Sequence, residues 1–286
     1  MSDSLHTHLK LARISNLPTT WSNVLCAFLL AGGFQWSAFF GGILAVSLFY
    51  VAGMYLNDWR DADYDRRHRP ERPIPSGGIS RKAVFFFAAA YFLVALGISI
   101  FMHPGSILWT LALILCITVY DLDHKNNSMS PWVMAGCRAL IYPWAASLSG
   151  HAFTPELWIA AGAAYSYTLG LTYAARGAGT GPTTRGPLLV CLFLPALLWG
   201  SQLGGQALWA GFLALAVFLA WTAGCISAWF RRSSRSGPAI GRLIAGFCWV
   251  DLLAITVVTP FSVAILLLVA LLFVSTLKFQ KIISGT

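Results

Sequence analysis

Ten long apolar runs, joined by connections that alternate between basic and uncharged, constrain this chain more than any other feature. They cover approximately residues 16–33, 36–56, 83–102, 105–121, 130–149, 156–175, 187–203, 207–229, 242–259 and 261–279. A helix needs roughly 17 to 25 mostly apolar residues to cross a bilayer, and only helices and closed barrels satisfy their backbone in lipid. Runs of this length therefore predict an all-α, polytopic transmembrane bundle of nine or ten helices, forming a single domain over residues 1–286. The composition agrees, with 57% hydrophobic and 10% charged residues against roughly 25% charged in a soluble domain. Thr19, Thr20, Ser22 and Asn23 interrupt the first run and no small-residue cleavage site follows, so it reads as the first membrane helix rather than a signal peptide.

The 19 Lys and Arg residues fall in the N-terminal tail, between runs 2 and 3, from the end of run 4 into run 5 (Lys125 and Arg138), after runs 6 and 8, and at the C-terminus. The connections near Gly33, Pro104, His151, Gly204 and Pro260 hold none. Positive-inside topology then puts both termini and every even-numbered connection in the cytoplasm. The net charge of +9 follows mainly from that topology and suits an anionic lipid surface or substrate. Dispersed among hairpins, it does not form a nucleic-acid footprint. Six cysteines stand singly in the apolar runs, as expected of buried, inert side chains, and the histidines show no zinc spacing. Nothing in the pattern specifies an oligomeric state.

Asn57-Asp58-Trp59-Arg60-Asp61-Ala62-Asp63-Tyr64-Asp65 places four of the chain's ten acidic residues in nine positions, at the end of the second run. On a helix, Asp58, Asp61 and Asp65 follow i, i+3, i+7, while Asn57, Asp61 and Asp65 follow i, i+4, i+8, so both sets share a face. Like charges so placed repel unless they share a cation. Hard oxygen ligands select Mg2+ or Ca2+, and Mg2+ typically takes one or two carboxylates plus substrate phosphates. The blander reading is a solvated loop salt-bridged to neighbouring arginines. Against it stands the next segment, Arg69-Pro70-Glu71-Arg72-Pro73-Ile74-Pro75-Ser76-Gly77-Gly78, in which proline-fixed backbone would hold a phosphate-binding guanidinium in place.

The pattern N-D-x-x-D-x-x-x-D from Asn57 to Asp65, followed by R-P-I-P-S-G from Arg72 to Gly77, resembles the first aspartate-rich motif of the UbiA superfamily of intramembrane prenyltransferases. The resemblance implies a helical bundle that binds a prenyl diphosphate through Mg2+, its tail in a lipid-accessible tunnel. It also implies Asn57, Asp61 and Asp65 as metal ligands with Asp58 alongside them, and Arg72 on the diphosphate. Tyr120-Asp121-Leu122-Asp123-His124-Lys125 is similar to a second family stretch, which would bring Tyr120 and Lys125 to the diphosphate. Asp61, Asp65 and Lys125 would then carry the catalysis. Arg138, a charge inside an apolar run, must pair or face a polar cavity, and is expected among the diphosphate-binding residues. Lys125 together with Cys137-Arg138 resembles the branch encoded in bacterial Ebo gene clusters, which implies a bacterial inner membrane and leaves a polar or cyclitol-like acceptor open.

The family's second motif, D-x-x-Y-A-x-x-D-x-x-x-D, corresponds here to 170–181. Tyr173 and Ala174 remain, but Gly170, Gly177 and Gly181 stand at the acidic positions. Arg176 is the expected replacement for a second metal, since guanidinium neutralises phosphate without carboxylate partners; Asp121 and Asp123 are the alternative source of ligands. The reaction implied is ionisation of an allylic diphosphate in a dry, aromatic-lined pocket, followed by attack of an unidentified acceptor. Asp58, Asp63 and Asp123 are open possibilities for a general base. A CDP-alcohol phosphotransferase is the rival enzyme, but its D-x-x-D-G-x-x-A-R pattern is absent. A noncatalytic lipid carrier or transporter is the remaining alternative, although transporter sites lie near the bilayer midplane and these acids lie at its edge.

Overall fold

A computed structural model describes residues 3–123, 127–151, 153–177, 186–204, 208–231, 237–260 and 262–282. These residues are helical throughout, apart from turns and short connections. An amphipathic α1 (Asp3–Ala12) and a 3-10 turn at Ile14–Asn16 precede α2 (Leu17–Leu30) and α3 (Trp36–His68). Next come α4 (Arg81–Met102), α5 (Ile107–Asp123), α6 (Ser130–Ala139), α7 (Ile141–Leu148) and α8 (Pro155–Gly177). A 3-10 segment at Gly186–Phe193 leads into α9 (Leu194–Gly200), followed by α10 (Leu208–Arg231), α11 (Gly237–Ala245), α12 (Phe247–Val258) and α13 (Val263–Ile282). Among the described residues six helical passages, 36–68, 81–102, 104–123, 208–231, 237–258 and 263–282, are long and apolar enough to cross a membrane.

Several apolar runs fold as two helical pieces, and the breaks have local causes. Pro143 has no N–H for the carbonyl of Ala139 and its ring would strike it, so α6 gives way to α7 there. Pro195 acts in the same way between the 3-10 segment and α9. Gly246 separates α11 from α12: a Cβ there would overlap the Tyr167 hydroxyl. That hydroxyl instead donates to the Leu243 carbonyl at 2.9 Å, which satisfies an acceptor at the end of α11.

The bundle is apolar on its outer face, where Phe101 is 83% and Leu108 75% exposed, as a lipid-facing surface requires. Polar groups collect inside. Asp251 on α12 accepts hydrogen bonds from Ser22 (2.5 Å) and Asn23 (2.8 Å) on α2 and from Tyr142 (2.5 Å) on α7, so three helices are tied at one buried carboxylate.

The two ends of the bundle differ as the alternating connections predict. At one end Tyr50 donates to the Arg13 carbonyl, Arg60 donates to the Leu122 carbonyl and Gln280 donates to both Asn16 and the Gly241 carbonyl. The start of α2 and the end of α13 therefore meet, and the basic residues flank them. At the other end Thr154 donates to the Leu30 carbonyl, and His151 lies so close to Gly33 that a Cβ there could not fit.

Candidate active site

Helix α3 does not stop where its apolar run ends. It continues through the acidic stretch to His68, with Arg66, Arg67 and His68 in the last turn offsetting the negative end of the helix dipole. That continuation sends the four carboxylates to three different places. Asp61 and Asp65, with Asn57, line a cavity of about 920 Å³ at the basic end of the bundle. Asp63 points outward, to Arg66 at 2.9 Å and Arg81 at 3.0 Å. Asp58 turns away from that cavity, and one of its oxygens accepts from both Arg13 (3.0 Å) and Arg72 (2.9 Å). The i, i+4, i+8 set thus faces the cavity together, whereas Asp58, expected beside the metal, instead anchors two arginines behind it.

Those arginines reach the cavity from segments that need anchoring. Arg13 is the sole non-glycine with positive φ among the described residues, at φ 42°. A left-handed arginine is strained, and the ion pair to Asp58 together with the Tyr50 bond holds it there. Arg72 lies in the Pro-rich turn, where Ser76 N–H donates to its carbonyl at 2.9 Å and Gly77 takes the φ of +79° that closes the turn. Its Nε is 3.9 Å from Asp65, so Arg72 bridges the two faces of α3.

Opposite α3, the end of α5 contributes Tyr120, Asp121 and Asp123, and α8 contributes Thr172, Ala175 and Arg176. Asn57 donates its amide to Asp121 at 3.2 Å, leaving its own carbonyl oxygen as the atom able to ligate. Arg176 donates to Ser130 and to the Asn127 carbonyl, which fixes it at the cavity wall. Lys125 and Gly181 lie outside the described residues. Gly170 faces away from the cavity: a Cβ there would come within 2.9 Å of the Leu192 backbone nitrogen. This chain has closed that position by packing residues 186–193 against it.

A smaller chamber of about 250 Å³ adjoins the cavity and shares Arg13, Met54, Tyr120, Asp121, Met134 and Thr172 with it. Its walls are chiefly apolar, including Val46, Phe49, Leu113, Ile117, Leu171 and Phe247. Arg138 lies here, not in the acidic cavity with Arg72 and Arg176. It donates to Thr19 at 2.6 Å and stacks 4.0 Å from the Phe247 ring centroid, which places it in the apolar chamber. Sequence reasoning did not single out Arg13, Arg60 or Arg69, all of which line the cavity; each resembled an ordinary positive-inside residue.

The donor set suits Mg2+ supplied together with a phosphate. Among the described residues it consists of hard oxygens, from Asn57, Asp61, Asp65, Asp121 and Asp123. Among the described residues no group of three His, Cys, Asp or Glu side chains can hold an ion unaided, so substrate oxygens must complete the shell, as is usual for Mg2+. Among the described residues five arginines line the cavity, with five aspartates that include Asp63 at its rim. Such a balanced wall accepts a diphosphate only if cations come with it.

A family model described as the UbiA prenyltransferase family matches residues 16–178. A digeranylgeranylglyceryl phosphate synthase of Methanoregula boonei is 35% identical over 106 residues, which are 36% of this chain and 37% of that one. The chain thus matches little more than a third of that relative's length. Among solved structures, a UbiA homolog from Archaeoglobus fulgidus superposes with a TM-score of 0.67 at 14% identity, covering 96% of this chain and 99% of that one. The same homolog bound to DMAPP and Mg2+ gives 0.57 at 15% identity, covering 97% and 100%. The fold is shared along nearly the whole length.

Proposed function

Because the chain belongs to the UbiA prenyltransferase family, we propose that it transfers a prenyl group from an allylic prenyl diphosphate to an acceptor, with Mg2+, releasing diphosphate. One observation carries this reading: Asn57, Asp61, Asp65, Arg72, Tyr120 and Arg176 converge on a single cavity that adjoins an apolar chamber. The resemblance pointed to the first five and charge counting to Arg176, from four separate stretches of sequence that come together at this cavity. A structural relative that carries both DMAPP and Mg2+ supports the ligand class.

Bound Mg2+ would neutralise charge on the departing diphosphate, held by Asn57, Asp61 and Asp65. Arg72 and Arg176, with Arg13 beside them, take the remaining phosphate oxygens. As the C1–O bond breaks, its electron pair stays on the diphosphate, where these guanidinium groups meet the developing charge. The allylic carbon is left facing the chamber, where Phe49 and Phe247 exclude water. The acceptor's nucleophile then bonds to C1 and gives up its proton. The name of the sequence relatives points to a glyceryl phosphate acceptor, and a polar acceptor of another kind fits the same mouth.

The whole chain is read as one domain with nine or ten membrane passes, in a bacterial plasma membrane, with the cavity and both termini on the cytoplasmic side. The meeting of Asn16 with Gln280 and the basic residues at that end support the topology. Narrower placement in the Ebo-cluster branch rests on Lys125 and Cys137-Arg138.

Membranes carrying the protein, incubated with radiolabelled prenyl diphosphates, Mg2+ and a host lysate, test the reaction. Diphosphate release is expected from the wild type and not from Asp61→Ala or in EDTA. Release unaffected by the substitution would overturn it, and no release from the wild type would favour a noncatalytic carrier.

A further inference from the structure

A second cavity, of about 360 Å³, opens between α10 and α11, and nothing in the prenyl-transfer reading uses it. Gly224, Ser227 and Ala228 recur at i, i+3 and i+4 on α10, opposite Pro238 and Ala239 of α11, and Arg231 and Arg242 stand at its rim. Small side chains on both helices leave a notch at the lower end of the size range of ligand pockets. It lies at the same end of the bundle as the acidic cavity, since Gln280 joins Gly241 to Asn16 there.

Its charge balance differs from that of the first cavity. Between Glu156 and Asp251 the sequence contains no acidic residue, and none follows Asp251, which is itself buried among Ser22, Asn23 and Tyr142. Among the described residues Arg231 and Arg242 form no ion pair. Lys278 and Lys281, both exposed on neighbouring α13, add to the positive field. Phe230, next to Arg231 in the chain, is 51% exposed on the outer surface of α10. We propose that this notch binds the phosphodiester headgroup of an anionic phospholipid from the surrounding leaflet, its acyl chains running along α10. Positive-inside topology alone would explain two arginines here, but not a cavity between small residues that gathers them.

The full-length protein in phosphatidylcholine nanodiscs, doped with phosphatidylglycerol, tests this by native mass spectrometry of retained lipid. Each arginine near an anionic headgroup contributes about a fivefold factor, so Arg231→Gln/Arg242→Gln should retain phosphatidylglycerol about twenty-five-fold more weakly. Arg67→Gln/Lys82→Gln removes equal charge from the same face but lies away from the notch, and should weaken retention far less. Gly224→Leu fills the notch with its arginines intact, because a Cβ at Gly224 meets open space, and should also abolish retention. Equal loss in the Arg67/Lys82 control, or full retention in Gly224→Leu, would reduce the effect to bulk electrostatics and overturn the site. Inorganic phosphate that competes the lipid away at millimolar concentration would show a free-phosphate site instead and overturn the lipid assignment. If the double arginine variant does not fold, Gly224→Leu decides alone.

Discussion

Replacing Asp58 with alanine should destabilise the protein without directly touching the metal, the reverse of what its place in the aspartate-rich motif implies. The Asp58 side chain is 5% exposed and is shared by Arg13 and Arg72, at 19% and 18%. Removing one partner of a buried ion pair costs about 3–5 kcal/mol, because the other charge is left desolvated. Here two guanidinium groups are stranded, but each keeps about a fifth of its surface in a wet cavity, which sets the loss near the lower end, about 3 kcal/mol. At roughly 2 °C per kcal/mol for a chain of this size, the melting temperature should fall by about 6 °C. Intrinsic tryptophan fluorescence in detergent micelles reads that shift. Asp61→Ala, whose side chain faces the cavity, should lose Mg2+-dependent turnover. If Asp58→Ala melted with the wild type and instead needed more Mg2+, Asp58 would be a ligand and the anchoring argument would be refuted.

Arg176→Ala should weaken prenyl diphosphate binding by about thirtyfold, the worth of roughly 2 kcal/mol for a hydrogen bond to a charged group, and an unchanged KM would remove Arg176 from the site. Gly170→Asp should not rebuild a second acidic motif. Its Cβ would lie 2.8 Å from the Leu192 side chain, so melting should drop by the equivalent of about 1–3 kcal/mol with no gain in Mg2+ affinity in a metal titration. Asp251→Ala would leave the donors of Ser22, Asn23 and Tyr142 facing a void and should cost at least about 3 kcal/mol; wild-type melting would show that the network does not join those helices.

Much of this architecture was legible in the chain because hydropathy is a long-range signal that needs no partner. Each apolar run folds as helix, and the break at Pro143 follows from one residue's missing N–H. The break at Gly246 was not legible, since it depends on a tyrosine contributed by α8. In the site, the spacing of Asn57, Asp61 and Asp65 sufficed to place all three on the cavity wall. The same spacing could not separate them from Asp58, because a helical wheel shows a shared face but not which neighbour approaches it, and Arg13 approaches Asp58. Arg13 itself was hidden among topology-setting basic residues and is marked only by its left-handed backbone. Asp251 did carry a signal, as an isolated acid within an apolar run, although its three donors come from distant segments. Arg138 was expected to pair or face a cavity and does so, but in the apolar chamber.

The account depends on one acidic helix holding a single metal while Arg176 takes the place of a second. With the charges on the described part of the cavity wall balanced, a diphosphate of about three negative charges and one Mg2+ leave about one negative charge, whereas two Mg2+ leave about one positive charge. Counting ions therefore tests the arrangement most directly. Purified protein saturated with a non-ionising prenyl thiolodiphosphate should bind one Mn2+ per chain by electron paramagnetic resonance titration, and Arg176→Ala should not raise that number. Two tightly bound Mn2+ per chain would contradict the account.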